Sequence, residues 1–186
     1  AHNVLVNQLT LEELHLANSI ELAISRILFE LEQDGIMLDV HKLKLLEKLV
    51  AADVTNFENK IYAESSQVFN LNSPKQLQDI LFNTMGLPTD NIRKIASGYS
   101  TDEESLNTLA DQGIGIANLL LEYRSLAKLL NTYITKLPNY LDNNNYIHTS
   151  FEQTIVTSGR LSSKDPNLQN IPVRNLYGQR IRECFI

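Results

Sequence analysis

A single cysteine, Cys184, stands among the 186 residues, which excludes an internal disulfide and is compatible with a reducing cytosol. It reads as a small apolar residue of a strand. No apolar run is long enough to cross a bilayer and no secretory signal is legible, so no membrane partner is expected. The four histidines, His2, His15, His41 and His148, show no metal-ligand spacing. No zinc pattern, P-loop or nucleophilic triad is present. Basic charge is also scarce. Sixteen Lys and Arg against 22 Asp and Glu leave a net charge of −6, which on its face argues against a nucleic-acid partner.

The distribution of charge softens that objection. Glu12 to Asp34 holds six acidic residues and one basic, whereas Thr157 to Ile186 holds five basic and two acidic. A patch can bind DNA on an acidic protein. With 43% hydrophobic residues the chain can build a real core, in one domain or one and a half.

Apolar residues at three- and four-residue steps (Leu16, Ile20, Ala23, Ile24, Ile27, Leu28, Leu31) predict an amphipathic helix over about 11–33, stopped by Gly35. Asp39 can cap a second helix that buries Leu43, Leu46, Val50, Phe57 and Ile61. Ser73-Pro74-Lys75-Gln76 reads as a capping box with proline at the first helical position. Leu87 to Thr101 lacks an apolar period and predicts a mobile loop. A second capping box, Thr101 to Glu104, opens a short helix. A longer helix follows over about 116–136, with Leu119, Leu120, Tyr123, Leu126, Ala127, Leu130 and Ile134 inward. On its other side Arg124, Lys128, Asn131 and Thr135 form one polar stripe, which in isolation fits a solvated face. Tyr146 to Val156 predicts a strand with a structural histidine, His148, and Arg180 to Ile186 a second strand.

The segment from Thr157 to Phe185 combines Arg160, Lys164, Arg174, Arg180 and Arg182 with Asn167, Gln169, Asn170 and Asn175. It reads as an ordered loop. Guanidinium groups match phosphate and base-edge acceptors, and amides both donate and accept, as a nucleic-acid groove requires. By composition alone a polar surface loop is the other reading.

The letters Gly159 to Ser163, Pro166 to Pro172, Arg174, Ile181-Arg182 and Phe185 closely resemble the G-R-L-S-S, P-N-L-Q-N-I-P, R and I-R-x-x-F pattern of bacterial family A DNA polymerases. In that family this segment follows the thumb and enters the palm. One departure is that Val156-Thr157-Ser158 stands where the family often has T-x-T. Glu122 to Leu129 resembles the family's thumb helix, and Ser97 to Thr101 the end of its thumb-tip loop, with Ile95 where threonine is common.

The resemblance implies a mainly α chain with a small β part (α+β), a helical thumb followed by the first strands of the palm. Residues 1–35 would be a connecting helix, 36–140 the thumb with its tip loop at about 87–101, and 141–186 the start of the palm. It implies DNA contacts by Arg160, in the minor groove near the primer terminus, by Asn167, Gln169 and Asn170 on the template side, and by Arg124, Lys128 and Lys94 on phosphates. Gly159 would permit close backbone approach, while Arg174 and Arg182 would meet DNA, nucleotide or palm carboxylates. The family's first catalytic aspartate follows I-R-x-x-F, beyond Ile186. No catalytic or metal-binding residue is therefore expected in this chain, which should be inactive alone.

For the parent enzyme the resemblance implies Mg2+, primer–template duplex, deoxynucleoside triphosphate, a role in replication and repair, a monomeric state and a bacterial cytoplasm. A stand-alone duplex-binding module and a protein-interaction module are the competing readings from the residues.

Overall fold

The computed structural model describes residues 8–186; His2 lies outside them. The fold is α+β, dominated by helices, with three small antiparallel sheets of two strands each among the described residues. Two compact units are formed, one from residues 8–43 and 136–186, the other from 44–135.

In the first unit, helix α1 (Leu11–Leu16) passes through a π-helical turn, Ala17–Glu21, into α2 (Leu22–Asp34). Thr10 and Glu13 cap it reciprocally, and Gly35 ends it at φ +67°, a conformation that glycine adopts without strain. The predicted apolar stripe is not a core face. Leu16, Ile20, Ile27 and Leu31 are exposed, and Leu28 is the one buried residue of this helix among those described. The helix is tied down through polar groups at its C-terminal end instead, as described below.

Strand β1 (Ile36–Met37) pairs with β4 (Tyr146–Ile147), and Leu38 bridges to Phe185. Strand β5 (Ser150–Glu152) pairs with β6 (Ser162–Lys164), placing Phe151 opposite Ser163. The single strand expected from Tyr146 to Val156 is thus two short ones in different sheets. Thr149 is the reason: its hydroxyl turns inward to donate to the Pro166 carbonyl at 2.7 Å. The expected terminal strand is also corrected. Helix α7 (Leu176–Arg182) takes the first residues of that stretch, because Asn175 accepts hydrogen bonds from the Tyr177 and Gly178 amides and so nucleates a turn, and of the rest Phe185 makes an isolated β-bridge. Ile181 on this helix and Cys184 just past it are buried, so Cys184 packs after a helix rather than in a strand.

Helix α3 (Val40–Ser65) begins at Asp39, whose side chain accepts the Lys42 amide at 2.8 Å. Leu43, Leu46, Val50 and Ile61 are buried along it as the periodicity predicts. In the second unit α4 (Pro74–Gln78) continues as a π-helical segment, Asp79–Thr84. Here the cap is half of the predicted box: Ser73 accepts the Gln76 amide, but the Gln76 side chain accepts the Asn70 amide instead of reaching back to Ser73. The core of this unit gathers Ile61, Leu77, Leu81, Leu106, Leu109, Ile116 and Leu120.

The loop expected at 87–101 contains a hairpin, β2 (Lys94–Ile95) with β3 (Gly98–Tyr99), and it buries Ile92. Helix α5 (Glu103–Asp111) is capped by Asp102, one residue later than predicted, through the Ser105 amide at 2.9 Å. Helix α6 (Gly115–Leu129) runs on as a π-helical turn, Leu130–Ile134, and Leu120, Tyr123, Leu126 and Ala127 are buried on it.

Candidate nucleic-acid interface

The polar segment after β5 is more structured than a loop. Ser163 in β6 is buried, and its hydroxyl accepts the Leu168 amide at 3.2 Å. Asn167 Oδ1 accepts the Gln169 and Asn170 amides at 3.1 and 3.2 Å. Thr149, just before β5, closes the same turn, lying 3.1 Å from the Lys164 carbonyl as well. A network whose members satisfy one another fixes a unique turn. Neither Thr149 nor Ser163 stood out in the sequence, since only the pairing of β5 with β6 brings their neighbourhoods together. Asn175 could have been found there, as an asparagine in N-cap position before L-Y-G-Q.

This frame separates side chains that hold the turn from those left outward. Arg160, Gln169 and Arg174 are exposed, and their side chains have no hydrogen-bond or ion-pair partner among the described residues. Asn170 is exposed too. Asn167 spends its carbonyl oxygen within the turn and keeps Nδ2 for other acceptors. Arg182 is exposed but tied to the chain, its Nη2 donating to the Ile171 carbonyl at 2.8 Å. Arg180 lies 5.7 Å from the Tyr177 ring centroid. Lys164 pairs with Glu152, which raises the lysine pKa chiefly through that hydrogen bond. Gly159 adopts φ +72°, which favours glycine, and apart from its chain neighbours no described residue lies within 4 Å of where its Cβ would be.

In the second unit, Lys128 on α6 and Lys94 on β2 are exposed, the latter 5.5 Å from the Tyr99 ring centroid. Arg124 differs from Lys128 although both belong to the predicted stripe. It is half-buried, its Nη1 donates to the Thr101 carbonyl, and burial draws its pKa down while Asp102 opposes that shift.

Tertiary polar contacts also anchor the first unit. The His148 imidazole Nδ1 lies 2.8 Å from the Glu32 carbonyl, which accepts its proton, and Nε2 is 3.6 Å from Asp142. This matches the structural role expected of that histidine. Among the described residues no three His, Cys, Asp or Glu side chains are grouped to hold a metal ion, and no helix is long and apolar enough to cross a membrane.

The model of DNA polymerase family A matches residues 40–186. The chain is 40% identical over 176 residues to DNA polymerase I of Bacillus subtilis, covering 94% of this chain and 20% of that protein. It is 44% identical over 173 residues to DNA polymerase I of Helicobacter pylori, covering 93% and 19%. Among solved structures, the POL domain of Pol1 from M. smegmatis in complex with DNA primer-template and dNTP superposes with a TM-score of 0.85 at 38% identity, covering 94% of this chain and 30% of that one. The chain thus spans about a fifth of the length of these curated relatives. By the extent of the family match and its agreement with relatives along nearly the whole chain, this protein belongs to DNA polymerase family A.

Proposed function

We propose that this chain is the duplex-gripping part of a DNA-directed DNA polymerase, comprising its helical thumb and the start of its palm. The observation that carries this reading is the braced turn at 163–170, which carries the Gln169 side chain and is flanked by Arg160 and Arg174, all three side chains being without a partner among the described residues. A cation on an ordered turn loses little entropy on binding a phosphate or groove acceptor. The family membership and a structural relative in complex with primer-template and dNTP support the same choice of ligand.

On this reading Lys128 and Lys94 neutralise phosphates, which hold the duplex without reading its sequence. Arg160 meets minor-groove acceptors, whose positions are shared by all correct base pairs, so it senses pair geometry. Asn167 Nδ2, Gln169, Asn170 and Arg174 add contacts beside it. The Mg2+ and nucleotide of the polymerase reaction would be held by residues outside this chain, which by itself grips the duplex without turning nucleotide over.

Salt-titrated fluorescence anisotropy with a primer–template duplex tests the proposal. Binding should weaken by roughly 0.9 log units per tenfold salt for each neutralised phosphate, and should be lost on joint replacement of Arg160, Arg174 and Lys128. Salt-insensitive binding, or none by a folded chain, would remove this reading of the isolated segment.

A further inference from the structure

Of the two cations on the polar stripe, Arg124 is the one with a hydrogen-bond acceptor among the described residues. Its Nη1 bonds the carbonyl of Thr101, a residue only 6% exposed. The next residue, Asp102, serves two partners. Oδ1 accepts the Ser105 amide at 2.9 Å as the cap of α5, and Oδ2 accepts Arg93 Nη2 at 2.7 Å. Arg93 in turn closes the hairpin, its carbonyl accepting the Ser100 amide at 2.8 Å. Lys94 follows directly, over a Tyr99 ring whose centroid is 5.4 Å from that of Phe82. Arg124, Thr101, Asp102 and Arg93 therefore form a chain of bonds from the middle of α6 to the base of the hairpin. The Arg93–Asp102 pair is exposed and weak on its own. A half-buried guanidinium on a buried carbonyl is charge-assisted and shielded, and it stiffens the link.

We propose that Arg124 and Asp102 are positioning residues that hold the β2–β3 hairpin, and so fix where Lys94 meets a phosphate, without touching the duplex themselves. The proposal rests on the duplex-binding reading for its consequence, but the link exists in the protein alone. A carboxylate beside a DNA-binding cation would ordinarily oppose binding. Here it contributes by orientation, which makes its removal informative in sign.

The first measurement is amide hydrogen exchange in the protein without nucleic acid, comparing Arg124→Gln and Asp102→Asn with the parent. Asparagine keeps the helix cap and loses the ion pair. In both variants the hairpin amides, that of Ser100 first, should exchange about tenfold faster while α6 amides near Leu120 keep their protection. Arg124→Lys, which can still donate to the Thr101 carbonyl, should restore most of it.

The second measurement is duplex affinity against salt. Asp102→Asn should weaken binding about threefold or more, although removing a negative charge alone would strengthen it. Lys94→Ala should add little on top of Asp102→Asn. Arg124→Gln should weaken binding with its salt slope unchanged.

Unchanged exchange in both variants overturns the proposal whatever the chain binds. A slope flattened by about 0.9 in Arg124→Gln also overturns it, by making Arg124 a phosphate contact. Faster exchange in a protein that binds no duplex upholds the link and removes only the duplex reading.

Discussion

The Glu32 carboxylate accepts the backbone amide of Phe151 at 2.5 Å, joining the end of α2 to strand β5 across 119 residues of sequence. The Glu32 carbonyl meanwhile holds His148. One residue thus orders both ends of the short connection between β4 and β5. Replacing Glu32 by alanine leaves the Phe151 amide without its charged acceptor and should cost about 1–3 kcal/mol, read as a lower urea midpoint at constant m. An unchanged midpoint would mean that water replaces the carboxylate without loss.

Gly178 lies in α7 with its would-be Cβ 2.3 Å from the Pro172 carbonyl oxygen. Backbone cannot move aside as a flexible side chain can. Gly178→Ala should therefore destabilise the protein by about 1–3 kcal/mol, an effect that thermal unfolding can detect. A neutral result would mean that the helix does not pack this closely on the 172 carbonyl.

Asp102 has its pKa lowered to about 2, first by the hydrogen bond from the Ser105 amide and also by Ser100 and the charge of Arg93. Its unfolded value is about 3.9, so the native state binds fewer protons in this range. The stability that it contributes is complete above about pH 4 and is lost as the pH falls toward about 2. Exchange of the Ser105 amide should accelerate across this window beyond its intrinsic pH dependence. Asp102→Asn should remove that excess, and an identical profile would discount the cap as the cause.

Lys128→Ala should weaken duplex binding alike for all sequences and flatten the log–log salt slope by about one. Anisotropy with two unrelated duplexes measures both quantities. An unchanged slope returns Lys128 to a solvated face.

Arg160→Ala in the whole polymerase should slow primer extension about tenfold or more, since a hydrogen bond from a charged donor contributes about 1.5–3 kcal/mol. It should also narrow the difference between paired and mispaired termini. Single-turnover extension reads both, and unaltered rates on the two termini would count against a minor-groove role.

Much of the helical framework was legible because its signals are local. Asp39 caps α3, Gly35 ends α2, and Leu120, Tyr123 and Leu126 recur at the helical period, each within a turn of what it organises. The long match from Gly159 to Phe185 likewise identified the family, because letters are compared without knowing their conformation. The same letters misled about shape. N-L-Y-G-Q-R-I-R reads as the end of an ordered loop and the start of a strand, yet Asn175 needs only the amides two and three residues ahead to start a helix.

What the local sequence could not decide is which polar group is tied to the chain. Arg124 and Lys128 are one helical turn apart and chemically alike, but the Thr101 carbonyl lies within reach of Arg124 while Lys128 is left exposed. Arg160 and Arg182 divide in the same way over the Ile171 carbonyl. Helical period and capping arise from bonds between near neighbours, so the chain carries them in its letters. The sorting of arginines into ties and outward donors arises from acceptors brought close only when distant segments pack. It is therefore a property of the folded protein.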